Sequence, residues 1–227
     1  MQYVSVRRHD QSWAPLDPLA ILESLANLTH YHSQQEIYDR NDPVLYRYRL
    51  VSGAARKFTT QPDGRRQIVD LLLPGDLFGF APLHEHSFTV EATVDDTLVA
   101  RYPCARIDAL AESDLRFGRL IRELTAAEIS RLQARILLLG RMTTREKING
   151  FLLEMAERLP NGSDSIVLPM SRYDVADYLA VSVETVSRAF TALKQRGTIK
   201  FTGTRQMRIV DRTALDDGSD DHHRWHS

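Results

Sequence analysis

Two periodicities divide the chain. From about residue 29 to 102, short runs rich in β-branched and aromatic residues alternate with polar ones: residues 46–51 (YRYRLV), 55–60 (ARKFTT), 66–72 (RQIVDLL) and 88–94 (FTVEATV). Turns at Ser52-Gly53, Pro62-Asp63-Gly64 and Pro74-Gly75 separate them at roughly ten-residue spacing, the pattern of a small all-β barrel or jelly roll. From about residue 114 to 141 the period lengthens to that of a helix. Ile129, Leu132, Ile136 and Leu139 alternate three and four apart, a heptad seam. Phe117, Ile121 and Leu124 continue it upstream with a one-residue shift past Glu128. One small barrel cannot cover so long a helix, so the stripe predicts a parallel dimer. Gly140 weakens the helix end, Thr143-Thr144-Arg145-Glu146 is a capping box that starts another, and residues 140–143 read as a hinge. The next helix runs to about residue 159 and stops at Pro160-Asn161-Gly162. Residues 1–20 read as a loose arm, with one short amphipathic helix within 19–28.

The last periodic stretch, residues 171–201, reads as two short helices split by a tight turn. Ser171 caps the first with Asp174 at the capping-box position, and Val175, Ala176 and Leu179 form its apolar stripe. Ser182 caps the second, in which Val186, Phe190 and Leu193 face a core. Its opposite face carries Glu184, Ser187 and Arg188. Such a pair could be a solvated i,i+4 ion pair, but Arg and Glu together also suit a major groove, where Arg forks onto guanine and Glu accepts from the cytosine amino group. Residues 197–210 then predict two short strands turning near Gly203-Thr204, a wing. The whole reads as a winged helix-turn-helix.

Charge strengthens that reading. The 227 residues carry a net charge of −1, so nucleic-acid binding requires a local patch. Between Arg172 and Arg212 lie eight basic residues against four acidic ones (Asp174, Asp177, Glu184, Asp211), the local excess a phosphate-facing surface needs. A single cysteine, Cys104, excludes an intrachain disulfide and an all-cysteine metal site. No N-terminal apolar run is long enough for a signal peptide or a membrane span, so a cytoplasmic location without membrane association is expected.

VETVSRAF, preceded by SRYDVADYLAVS, resembles the recognition unit of the CRP/FNR superfamily of bacterial transcription regulators. Glu-x-x-Ser-Arg with Val183 in front is similar to the FNR and FixK-like branch. The resemblance implies that Arg188 reads guanine, Glu184 the facing cytosine and Ser187 a neighbouring A·T pair, in palindromes with TTGA-type half-sites. It also implies that Ser171, Arg172, Ser182 and Thr185 hold phosphates. Further implications are a homodimer and promoter activation through contact with RNA polymerase, in circuits tied to low oxygen. One departure is Ala180 in the turn, where the family usually has Gly; a left-handed Ala costs about 1 kcal/mol. The strand-rich half, with its "PDGRRQIVDLLLPGDLFGF" hairpin, is similar to the family's β-roll sensor domain.

Effector ligands of that family are not matched. Aligned from Pro74-Gly75-Asp76, the position that holds ribose carries Phe80, and the one that pairs the cyclic phosphate carries His86, although Ser87 remains. An iron–sulfur cluster needs four thiolates, and the family's internal cysteine position falls on Ala100. Cys104, between Arg101 and Arg106, is either a redox switch with a lowered pKa or a small buried hydrophobe. Haem would have to find axial ligands among scattered histidines. His84-x-His86 followed by Glu91 resembles the first metal motif of cupin enzymes, but Glu91 has the opposite strand parity and the second motif is absent. The acidic, then His-rich tail from Asp216 reads as a frayed end.

These features predict an α+β protein, not an enzyme. Residues 21–112 form a β-roll, 113–141 a dimerisation helix, 142–213 a winged helix-turn-helix, and 214–227 a disordered tail. The expected function is a sequence-specific regulator, an activator, working without cofactor. The alternative is a regulator gated by metal, haem or thiol redox in the β-roll.

Overall fold

A computed structural model describes residues 18–81, 84–141, 143–159 and 165–216. The rest of the N-terminal arm, Pro160-Asn161-Gly162 and the tail beyond Asp216 lie outside these residues. After α1 (Pro18–Ser24), eight strands follow: β1 (Asn27–Tyr31), β2 (Glu36–Tyr38), β3 (Tyr46–Ser52), β4 (Ala55–Thr60), β5 (Arg66–Leu72), β6 (Leu77–Phe78), β7 (Thr89–Ala92) and β8 (Thr97–Pro103). They make two four-stranded sheets, ordered β1-β8-β3-β6 and β2-β7-β4-β5, with antiparallel neighbours throughout.

Strand alternation puts Tyr48 and Leu50 of β3 inside and Arg47 and Arg49 outside. Between the sheets lie Tyr31, Ile37, Tyr38, Tyr48, Leu50, Leu72, Phe78, Val90 and Val99. Gly79 makes the turn beside them at φ +85°, where a Cβ would stand 2.6 Å from the Tyr48 ring, so only glycine fits.

α2 (Cys104–Ser113) and α3 (Leu115–Arg141) follow the roll. Phe117 is buried in a satellite cluster with Leu22, Ala100, Tyr102 and Ile107, and Ile121 and Leu124 pack on the same cluster. Two members of the predicted dimer seam, Ile121 and Leu124, thus have packing contacts within the chain. Ile121 and Leu124 belong to the face of α3 that covers the β-roll, together with Glu128, Arg131 and Arg135 further along. Ile129 and Ile136 are 51% and 69% exposed on the other face, and Leu132 is half-buried at its edge. The one-residue shift in the stripe marks where the apolar residues change faces. The Leu139 side chain lies outside the described ones.

The C-terminal part contains α4 (Thr144–Arg158), β9 (Ser165–Val167), α5 (Arg172–Leu179), α6 (Val183–Gln195), β10 (Ile199–Phe201), β11 (Gln206–Ile209) and α7 (Thr213–Asp216). Thr143 caps α4 with the reciprocal Glu146 bond of a capping box. A three-stranded sheet, β10-β11-β9, carries the wing. The α+β architecture, with β-roll, long helix and winged helix-turn-helix, is the one the sequence predicts.

The two halves share one core. Ile68, Leu71 and Leu73 from the roll are buried with Phe151, Leu152, Ile166, Val175, Tyr178, Leu179 and Phe190 from the C-terminal part. Arg56 and Arg66 of the roll reach α5: each donates to Asp174 (2.5 and 2.7 Å), and Arg66 also reaches Asp177 at 3.0 Å. Arg131 holds the buried Asp70 carboxylate with two bonds of 2.7 and 2.6 Å, fixing α3 to β5. No described helix is long and apolar enough to cross a membrane.

Candidate DNA interface

α5 and α6 owe their geometry to their caps. The Ser171 hydroxyl accepts from the Asp174 amide at 3.1 Å, and Asp174 accepts from the Ser171 amide at 2.9 Å. Ala180 ends α5 in the left-handed region (φ 52°, ψ 49°), the strained turn the sequence predicts. Ser182 then caps α6 by accepting from the Thr185 amide at 3.2 Å. Val186, Phe190 and Leu193 are buried, which turns Glu184 and Arg188 to solvent and leaves Ser187 and Thr185 half-buried between them.

Glu184 is held below the usual carboxylate pKa, first by its own backbone amide and the Ser182 hydroxyl, with Arg188 adding to the effect. It is therefore an acceptor at neutral pH, as reading a cytosine amino group requires. Arg172 lies over the rings of Phe190 and Phe201, 5.7 and 5.6 Å from their centroids. Those stacks join its base to α6 and the wing while the residue remains exposed. Ser171 is half-buried at the start of α5, and Ser182 is exposed.

The wing adds positive charge in a costly arrangement. Lys200 and Arg208 are exposed and directly opposite each other across β10 and β11, and Arg205 stands in the turn. Like charges facing each other across strands are destabilising unless an anion sits between or over them. Two of the four acids counted against the patch are withdrawn from it. Burial opposes ionisation of Asp174, but Ser171, Arg56 and Arg66 outweigh it and lower its pKa. Asp177 faces Arg66. These two acids therefore offset the basic patch less than the sequence count indicates, while one of its cations, Arg212, is paired with Glu157.

Sequence reasoning missed a groove of about 410 Å³ between the start of α4 and α6, lined by Arg145, Asn149, Thr185, Arg188 and Arg196 among others. The signal available was weak: Arg145 sits in a capped first turn and Arg196 just after α6, positions that periodicity treats as ordinary surface.

The competing sites do not form. Glu91 is paired with Arg56 across β7 and β4. His86 is 3% exposed and stacks on Tyr38, with ring centroids 3.7 Å apart, whereas His84 is exposed. These three side chains therefore do not converge, and among the described residues no group of His, Cys, Asp and Glu is placed to hold a metal. The cupin-like motif, a remote alternative from the sequence, thus has no converged ligand set among the described residues. Cys104 begins α2, and burial pushes its thiol up, opposed in part by Arg47 and not by Arg101 or Arg106. A thiolate is thereby disfavoured, the opposite of what the redox-switch alternative for Cys104 needs.

Known proteins place this arrangement. Residues 146–217 match the Crp-like helix-turn-helix domain, and residues 28–114 match the cyclic nucleotide-binding domain. The nitrogen fixation regulation protein FixK of Bradyrhizobium diazoefficiens is 37% identical over 180 residues, covering 78% of this chain and 76% of that protein. The transcriptional activator protein FnrL of Cereibacter sphaeroides is 33% identical, over 90% of this chain and 86% of its own length. The solved structure of FixK2 from Bradyrhizobium japonicum superposes with a TM-score of 0.80 at 38% identity, covering 85% of this chain and 96% of that one. With its helix-turn-helix, β-roll and long helix so matched, the chain belongs to the CRP/FNR family of DNA-binding transcription regulators, in the FixK-like branch.

Proposed function

We propose that the protein binds TTGA-type palindromes as a homodimer and activates promoters there through contact with RNA polymerase, without a small-molecule effector. The observation that carries the reading is the face of α6 on which Glu184 and Arg188 are exposed and Ser187 half-buried between them, set by the Ser182 cap beside a positive wing. Arg188 reads guanine, Glu184 the facing cytosine and Ser187 the adjacent pair. Ser171, Arg172, Ser182, Thr185, Arg145 and the wing cations hold phosphates.

Dimerisation uses the outer face of α3. Ile129, Leu132 and Ile136, continued towards Leu139, form the apolar seam, and Ile121 and Leu124 have no part in it. A parallel pair of α3 helices gives a two-fold axis, and two recognition helices related by it match a palindrome.

Effector independence is supported by what fills the roll. His86 stands where the family pairs a cyclic phosphate with arginine, and it lies stacked on Tyr38; burial lowers its pKa and so disfavours the charged form. Phe80 stands where the family has the glutamate carboxylate that holds the ribose, with the Arg47 guanidinium 5.2 Å from its ring centroid. Tyr48 and Phe78 stack beside them at 5.2 Å. A phosphate entering here meets His86 and the rings at the position of the family's arginine, while the nearby Arg47 already donates to the Gly79 carbonyl. Calorimetry with cyclic AMP tests this directly: the reading predicts no heat of binding, and saturable binding would overturn it.

A further inference from the structure

The segment joining α3 to α4 is bridged by a side chain that precedes it. Arg135 of α3 donates to the Ile68 carbonyl of β5 at 3.2 Å and to the Tyr178 carbonyl of α5 at 2.9 Å. Its guanidinium also lies 3.5 Å from the centroid of the Tyr178 ring. One residue thus touches the long helix, the β-roll and the first helix of the DNA-binding unit.

The arrangement is a poor way to stabilise a fold. Both hydrogen-bond partners are neutral carbonyls. Nη1 is buried and has no partner among the described residues. Burial pulls the Arg135 pKa down, with Tyr178, Asp70 and Glu154 opposing. A buried charge with an orphaned N–H is costly, and replacing such a group with an apolar side chain of similar length is often neutral or stabilising.

What Arg135 supplies and a methionine cannot is direction. One N–H of Nη2 on the Tyr178 carbonyl and the guanidinium over the Tyr178 ring tie α5 to α3, the other N–H of Nη2 ties α3 to β5, and the guanidinium that makes these contacts is a rigid plane. From α5 the chain turns at Ala180 directly into α6, so the angle of α5 sets the angle of α6. In a dimer built on α3, that angle also sets the separation of the two recognition helices, and half-site spacing follows from it. Arg56 and Arg66 hold the same helix to the β-roll through Asp174 and Asp177, so rotation about the α3–α4 connection is opposed from two sides.

We propose that Arg135 is a positioning residue for DNA reading, holding the recognition helix at a fixed angle to the dimer helix so that half-site spacing is built into the chain. The inference rests on the palindrome-reading dimer proposed above. Its test compares the full-length wild type with Arg135→Met, and with Arg188→Ala as control. Each is titrated on TTGA/TCAA palindromes whose spacers are lengthened or shortened by one base pair, and each is melted thermally.

Arg135→Met melts at or above the wild-type temperature, loses about tenfold affinity at the preferred spacing, and binds neighbouring spacings almost equally. Arg188→Ala relaxes preference at one guanine but keeps the spacing preference. An Arg135→Met protein with wild-type affinity and spacing preference overturns the inference. So does a loss of binding that follows a lowered melting temperature, because Arg135 would then be structural only. A wild type indifferent to spacing overturns the inference as well. Indifference to half-site sequence overturns the reading beneath it.

Discussion

Arg188 and Lys200 carry the same charge but stand on different elements, a helix face and a wing strand. Arg188 projects from a helix face whose neighbours Glu184 and Ser187 also offer directional hydrogen-bonding groups. Arg188→Ala is expected to cost about 1–3 kcal/mol and to relax preference at one guanine, measured on duplexes substituted base by base. Equal weakening on every duplex would remove Arg188 from base contact. Asp174 is the other decisive side chain, since it both caps α5 and accepts Arg56 and Arg66. Its folded pKa lies below the unfolded value, so the stability it contributes is present above about pH 4 and is lost as pH falls through the folded value. Asp174→Asn should lose about 3 kcal/mol at neutral pH and show a flatter acid limb in denaturation profiles. An unchanged acid limb would mean the arginines hold something else.

Among the elements, the wing makes the clearest prediction. Lys200 and Arg208 face one another with no acid between them in the strand register. Lys200→Ala is therefore expected to weaken binding nearly uniformly across sequences and to reduce the salt dependence by about one phosphate contact. A change confined to one base position would place Lys200 in a groove instead. The helix-turn-helix was legible from sequence because its caps, its apolar stripe and the Ala180 turn are all local. The α3 seam was legible only in part. Ile121 and Leu124 have the right spacing for a partner helix, and what assigns them to the β-roll in the dimer proposed above is their packing on the cluster of Leu22, Tyr102 and Ile107, which no periodicity contains. Asp174 and Asp177 were read as acids diluting a basic patch; their β-roll partners lie far away in the chain and pair with them only once the fold is made.

For the molecule as a whole, the long helix joins two tasks on opposite faces. Its inner face is committed to the β-roll through Phe117, Ile121, Leu124 and Arg131, and its outer face exposes Ile129 and Ile136. Ile136→Glu is expected to leave the melting of the β-roll intact while shifting sedimentation to the monomer. Ile121→Glu should do the reverse, lowering thermal stability by placing a charge against the satellite cluster. If both variants remained dimeric, the dimer would have to be built elsewhere. The shared core of the two halves and the arginines crossing it describe a molecule whose DNA-binding unit is fastened to its sensor-like domain. On the reading proposed above, such a molecule binds its site without waiting for a small-molecule effector. The measurement that tests this most directly titrates metal-free, reduced protein against a TTGA-N6-TCAA duplex and a scrambled duplex, with and without cyclic AMP. Tight, selective binding that cyclic AMP leaves unchanged is the predicted result; binding that is unselective, or that appears only when cyclic AMP is added, would contradict it.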